Sequence, residues 1–244
     1  MSRLDNEYVK YLEKYLNGDD LKQGLERLKK GEPPQYIVGN TDFYGYIFNV
    51  NNNVLIPRFE TELLVWYTIK FIKDKFGDKQ VSIVDLGTGS GNIAVVLKKE
   101  VNSLVVGIDI SLDAINVAKK NASLNNAEIN FICNDMLDNI DLKFDVIISN
   151  PPYIRNNEPI MDIVKNNEPA LALYGGEDGL VFYDKILSSC AKNLNDNYLI
   201  AFEIGYEQGE SVVLLAKKYL NCDVSLLKDY SGKDRFVFIY NKSV

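Results

Sequence analysis

The 244-residue chain contains no histidine. Without an imidazole, histidine-based acid–base catalysis, Ser–His triads and most zinc chemistry are excluded. Cysteine is scarce. Cys133, Cys190 and Cys222 are odd in number, far apart and in no CxxC pair, which predicts buried thiols rather than a disulfide framework or a zinc site. No run of 18 apolar residues is present, so no transmembrane helix is expected. The opening residues Met1 to Glu7 carry no signal-peptide apolar region, which predicts a cytoplasmic protein. Basic residues are outnumbered 27 to 34, for a net charge of −7. A free nucleic-acid binder is usually basic, so the balance favours a protein or small-molecule substrate, with room for a local basic patch.

What is there reads as a globular protein, 46% hydrophobic and 25% charged, long enough for one large domain or a main domain plus a small one. Residues 3–31 are helical in pattern, with Leu4, Tyr8, Tyr11, Leu12 and Tyr15 on one stripe. A break is expected at Gly18-Asp19-Asp20, then a second short helix carrying Leu21, Leu25 and Leu28. Residues 35–50, rich in Tyr and Phe and punctuated by Gly39 and Gly45, read as β structure. A turn at 51–53, an extended piece at 54–57 and a helix over 60–76 follow. From Val81 the pattern alternates. Strands are predicted at 81–86, 104–108, 129–133, 144–149 and 198–204, helices at 92–100, 112–124, 179–194 and 208–219, and a closing strand pair at 224–227 and 235–240. Such alternation implies an α/β fold, a doubly wound, mostly parallel seven-stranded sheet with helices on both faces. The expected organisation is a small helical domain at 1–34, a hairpin-and-helix connector at 35–76 and the α/β domain at 77–244.

The most informative residues are Asn150-Pro151-Pro152-Tyr153, directly after the apolar run 144–149. Two prolines stop the strand and fix the backbone. They set an amide and an aromatic ring on a rigid turn at a strand's carboxyl end, where open α/β sheets bind ligands. The bland alternative is an ordinary strand-ending turn. Asn-Pro-Pro-Tyr resembles the motif of enzymes that methylate a planar amino or amide nitrogen, and the chemistry accounts for the residue types. Such a nitrogen has a delocalised lone pair and is a poor nucleophile. Asn150 can accept one N–H through its side-chain oxygen and the Pro151 carbonyl can accept the other. Tyr153 can stack on the flat group.

Asp85-Leu86-Gly87-Thr88-Gly89-Ser90-Gly91 joins the first strand of the alternating region to a helix. Its glycines permit positive φ and let a ligand approach the backbone, and the helix N-terminus beyond favours a carboxylate. The spacing is D-x-G-x-G-x-G rather than the dinucleotide GxGxxG, and it is similar to the glycine loop of S-adenosylmethionine (SAM) methyltransferases. Asp109, at the end of the next strand, suits a ribose hydroxyl pair. The plainer role for Asp109 is capping the following helix, a role for which Ser111 competes. Asp135 can accept from an adenine amine and Met136 can pack on the ring. Asx turns after strands are common and offer the plainer account of Asn134-Asp135. Polar groups at the carboxyl ends of four consecutive strands are not expected of independent turns.

On these residues the chain resembles the HemK-type (PrmC) protein-(glutamine N5) methyltransferases that modify peptide chain release factors. The resemblance runs from about residue 33 to the C-terminus. It includes Pro34 to Gly39, Phe43-Tyr44-Gly45, Ile56 to Glu62, Glu168-Pro169, Gly175 to Leu180, Glu203-Ile204-Gly205 and Lys228 to Gly232. The segments before Val81 are the specific ones. Two departures stand out: Phe59 replaces the second proline of the family's Pro-Arg-Pro-Glu-Thr-Glu, and the family's N-terminal helical domain is longer. The resemblance implies a class I SAM-dependent methyltransferase fold, Rossmann-like, with a small N-terminal helical domain. It implies SAM contacts at Gly87, Thr88, Gly89, Ser90, Gly91, Asp109, Met136 and Asn150. It implies a glutamine site at Asn150, Pro151, Pro152 and Tyr153, which are also the catalytic residues, with the demethylated donor as product and no metal. It implies a release factor as protein partner and modulation of translation termination; the net charge argues against direct nucleic-acid binding, and a monomer is expected because nothing points to an obligate dimer. The rival is a nucleic-acid amino-methyltransferase, acting on adenine N6 or guanine N2, which would need a basic face or a target-recognition domain. A non-catalytic SAM-fold binding module is disfavoured by the two intact motifs.

Overall fold

A computed structural model describes residues 3–242. Helices α1 (Arg3–Tyr15) and α2 (Gly18–Lys29) pack on each other and on the short helix α3 (Pro34–Val38). The break between the first two falls at Leu16-Asn17, not at Gly18-Asp19-Asp20. Those three residues form the first turn of α2, where acidic side chains meet the positive helix end. The expected β structure at 35–38 is likewise replaced by α3. Pro34 occupies the first helical position and Gly39 closes the helix at φ 85°; proline in and glycine out override the Tyr-rich composition. The hairpin starts later, as β1 (Asn40–Phe43) and β2 (Tyr46–Asn49), joined by Tyr44 and Gly45 at positive φ. Helix α4 (Phe59–Phe76) then leads into the main sheet.

That sheet contains β3 (Val81–Leu86), β4 (Ser103–Asp109), β5 (Asn130–Cys133), β6 (Phe144–Ser149), β7 (Leu194–Glu203), β8 (Cys222–Lys228) and β9 (Asp234–Asn241), in the order β5-β4-β3-β6-β7-β9-β8. All neighbours are parallel except at β9, which runs against both β7 and β8. Helices α5 (Asn92–Glu100), α6 (Leu112–Leu124), α7 (Asp162–Lys165), α8 (Val181–Ser189) and α9 (Gly209–Tyr219) complete the fold. The short α7 and a 3-10 turn at Ala170–Ala172 were not expected, and the helix predicted over 179–194 ends in a 3-10 turn at Cys190–Asn193. Among the described residues no helix is long and apolar enough to cross a membrane.

Strand alternation explains why the sheet is covered on both faces. Ile83, Val146, Ile148 and Leu199 bury against α4 and α5 with Leu64, Ile72 and Val96. Val84, Leu86, Ile147 and Ile200 point the other way, onto Tyr183, Ile186 and Val212 of α8 and α9. Cys190 and Cys222 are buried free thiols as expected, but Cys133 is exposed at the end of edge strand β5. Chain order reverses between β3 and β6, which opens a crevice at their carboxyl ends.

Candidate active site

The glycine loop leaves β3 at the crevice. Gly87, Gly89 and Gly91 all have positive φ, at 71°, 53° and 78°. A Cβ at Gly87 would meet nothing within 4 Å, whereas one at Gly91 would sit 3.0 Å from the Ala118 Cβ. Gly87 therefore answers to backbone conformation and open space, and Gly91 to the packing of α5 on α6. The loop is stapled from outside. Asp109 accepts the Gly89 N–H through Oδ2 and the Ser111 N–H through Oδ1, both at 2.9 Å. Each oxygen keeps a lone pair for a further donor. Burial raises the Asp109 carboxyl above its ordinary value, while the backbone donors pull it back. Ser111, not Asp109, caps α6, accepting the Ala114 N–H at 3.2 Å. Behind the loop the Thr88 hydroxyl donates to Asp85 Oδ2 at 2.6 Å. Burial pushes fully enclosed Asp85 up to about 7 against that hydrogen bond.

A cavity of about 390 Å³ opens over this loop. Gly87, Thr88, Gly89, Ser90, Asp109, Asp135, Met136, Asn150 and Pro152 line it; Gly91 does not. The volume and the mix of apolar wall with a few directed polar groups suit a nucleoside-sized ligand. Asp135 is held by Lys185, whose Nζ lies 2.6 Å from Oδ2, so this carboxylate meets any donor with a cation at its side. Met136 is buried and holds a positive φ of 49°. A second cavity of about 490 Å³ adjoins, lined by Asn150, Pro151, Tyr153, Ile154, Met161 and Glu203 among others. Leu55, Arg58, Asn150 and Ala172 line both cavities. The predicted donor and acceptor residues thus meet at Asn150.

The turn that carries Asn150 is fixed on all sides. The Tyr153 carbonyl accepts from Gln208 Nε2 at 3.0 Å, and the Ile154 N–H donates to Leu173 at 3.0 Å. Burial holds the Tyr153 phenol well above its usual range, so its ring is a neutral surface. Asn150 Nδ2 donates to Thr61 Oγ1 at 3.0 Å, and Thr61 in turn donates to Glu203 Oε2 at 2.7 Å. Burial pushes Glu203 up to about 7, with Thr61 and Arg235 working in the opposite direction. Arg58 Nη2 lies 2.6 Å from Oε1 of buried Glu168, whose other oxygen accepts the Ile56 N–H at 3.3 Å. Phe59 takes the first position of α4, where a proline also fits, and its ring stacks on Tyr230 with centroids 5.9 Å apart. Sequence reasoning assigned no chemistry to Thr61, Glu203, Arg58 or Glu168. They stood only within motif segments, and partners 142 and 110 residues apart leave no local signal.

The family described as "Methyltransferase small domain" matches residues 67–185. The chain is 42% identical over 216 residues to the release factor glutamine methyltransferase of Bacillus anthracis, covering 86% of this chain and 76% of that one. It is 44% identical over 220 residues to the protein of that name from Flavobacterium psychrophilum, covering 87% and 77%. A crystal structure of a release-factor-specific protein-(glutamine-N5) methyltransferase from Alicyclobacillus acidocaldarius superposes with a TM-score of 0.50 at 26% identity, over 80% of this chain and 100% of that one. A Pyrococcus furiosus methyltransferase shares the fold, with a TM-score of 0.62 at 20% identity over 83% and 91% of the two chains. The sheet order and these neighbours match the class I SAM-dependent methyltransferase fold. With most of its length aligned at this level of identity, the chain belongs to the release factor glutamine methyltransferase family.

Proposed function

We propose that the chain transfers a methyl group from SAM to the side-chain amide nitrogen, N5, of the glutamine in the Gly-Gly-Gln motif of a peptide chain release factor, and so modulates translation termination in the cytoplasm. The observation that carries the reading is the meeting of two cavities at Asn150, on a turn that two prolines make rigid. SAM supplies an electrophilic methyl group on a sulfonium sulfur. On the donor side, the Asp109 carboxylate receives the ribose hydroxyls, the Gly87–Gly91 segment offers its backbone, and Met136 and Asp135 receive the adenine. On the acceptor side, Asn150 Oδ1 and the Pro151 carbonyl accept the two amide hydrogens and Tyr153 stacks on the planar group, while Pro152 lines the neighbouring donor cavity. These acceptors would favour positive charge developing on nitrogen and fix the orientation of the amide. No base is needed before attack, because the methylated amide nitrogen is strongly acidic and loses its proton to water. This suits a chain without histidine.

The reading includes no metal. It also takes the enzyme as a monomer that does not bind nucleic acid, in keeping with the net charge of −7. Mass spectrometry of a release factor incubated with the enzyme and SAM should show one added methyl on the Gly-Gly-Gln glutamine. Asn150→Ala should lower that turnover on the order of 100-fold. Methyl incorporation into DNA or RNA adenine or guanine, with none into the release factor, would transfer the case to the amino-methyltransferase reading.

A further inference from the structure

Glu203 is 1% exposed, at the end of β7, and it borders the acceptor cavity. Thr61 is 2% exposed. The Thr61 hydroxyl has one proton, and that proton is directed at Glu203 Oε2, 2.7 Å away. Thr61 therefore turns a lone pair towards Asn150 and must receive its NH2 end, as the 3.0 Å contact to Nδ2 records. The two ends of an asparagine amide have nearly the same shape, and only hydrogen-bond partners tell them apart. With Nδ2 on Thr61, Oδ1 is the end left for the cavity. It is also the only end that can accept a substrate N–H.

We propose that Glu203 and Thr61 are positioning residues that set the polarity of the Asn150 amide, and that protonation of Glu203 reverses this polarity and shuts the acceptor site. This rests on the glutamine methyltransferase reading and adds a regulatory input to it. When Glu203 takes a proton from solvent, its O–H donates to Thr61. The Thr61 proton is then free to point at Asn150, and the amide turns to present Oδ1 to it. An NH2 group now faces the substrate NH2, donor against donor. No other bond changes.

The surroundings place this switch near neutrality. Burial drives the Glu203 carboxyl up to about 7. Glu60 of α4 pushes in the same direction, while Arg235 of β9 and Arg58 beside α4 oppose it. Arg235 is largely occupied, donating to Asp229 at 3.3 Å and to the Ile204 carbonyl at 3.0 Å. From α8, the Tyr183 hydroxyl donates to the Glu203 backbone carbonyl at 2.8 Å and leaves the carboxylate alone. Tyr153, on the Asn150 turn, faces the carboxylate as a neutral phenol.

The test measures kcat and KM for release factor methylation from about pH 5.5 to 9, with SAM affinity by calorimetry and thermal melting of every variant. In the wild type, kcat should fall about tenfold per pH unit below the Glu203 transition. Glu203→Gln should lack this acid limb. Thr61→Val, which keeps shape but has no hydroxyl, should lower kcat about 10–100-fold with SAM affinity within about twofold of wild type. Thr61→Ser should restore most of the loss. An acid limb unchanged in Glu203→Gln, or wild-type kcat in Thr61→Val, would overturn the relay. If Glu203→Gln does not fold, the Thr61→Val and Thr61→Ser pair decides. A wild type that adds no methyl to the release factor at any pH sinks the functional reading itself, an outcome distinct from an active enzyme whose turnover ignores Thr61.

Discussion

Replacing Arg58 with methionine should separate two kinds of ion pair within one molecule. The Glu168 side chain is 1% exposed and holds Arg58 Nη2 at 2.6 Å, while the Arg58 side chain is 34% exposed. Methionine keeps the apolar stem and removes the guanidinium. The Glu168 carboxylate is then left with one long bond, from the Ile56 N–H at 3.3 Å. Breaking one side of a buried pair costs about 3–5 kcal/mol, mostly from the charge left uncompensated. Water reaches the outer face of Arg58, so the lower end, about 3 kcal/mol, is expected. Lys22–Asp19 provides the control. It is nearly as short, at 2.8 Å against 2.6 Å, but 78% and 86% exposed, and Lys22→Met should cost no more than about 0.5 kcal/mol. Urea unfolding followed by the fluorescence of Trp66, the single tryptophan, reads both. The double variant Arg58→Met/Glu168→Leu should recover much of the loss, because no charge then remains buried. If Arg58→Met lost no more than Lys22→Met, or if the double variant were the sum of the singles, the clamp would be only a surface contact.

Asp109→Ala removes two backbone staples and the ribose acceptor together, and should weaken SAM binding by roughly 1.5–3 kcal/mol; an unchanged calorimetric Kd would refute the assignment. Asp85 has a folded-state pKa of about 7 against an ordinary 3.8. Its protonated form favours the folded state, so this stability is full below about pH 4 and is lost as pH rises to about 7. Asp85→Asn should therefore gain on the wild type as pH rises from about 4 to about 7, by up to roughly 4 kcal/mol over that window, and a stability difference that ignores pH would count against it. Gly179→Ala meets φ 76° and would put a Cβ 2.3 Å from the Tyr153 carbonyl oxygen. It should cost about 1–3 kcal/mol and lower turnover more than SAM affinity, which denaturation and calorimetry would report.

The parts of the fold that could be read ahead were those whose signals are local. Residues 81–86 and 144–149 are apolar runs between turn residues, and they became β3 and β6 with the expected ends. The glycine loop and the two prolines after Asn150 act through backbone conformation at their own positions; Gly87, Gly89 and Pro152 line the first cavity and Pro151 the second. Where two local signals compete, composition is the weaker. Aromatic content at 35–38 suggested a strand, yet Pro34 and Gly39 bracket a helix. The relation of Thr61 to Asn150 and Glu203 lies beyond local reasoning, because it exists only once α4 is laid beside the ends of β6 and β7. The same is true of Lys185 on Asp135 and of the exposure of Cys133.

Asn121, on α6, has no exposed surface, and its amide is fully used. It accepts the N–H and Nδ2 of Asn49 at 2.7 and 3.0 Å, and donates to the Asn49 and Ser90 carbonyls at 2.9 and 2.8 Å. Three of these four bonds reach main-chain atoms, of residue 49 and of the glycine loop. The tolerance to mutation is therefore lopsided. The hairpin can exchange its side chain at position 49 for the loss of one bond, while a change at Asn121 takes the partner from the part-buried N–H and carbonyl of Asn49 and from the buried Ser90 carbonyl. The glycine loop thus registers the path of the hairpin's backbone at Asn49 rather than the side chain carried there.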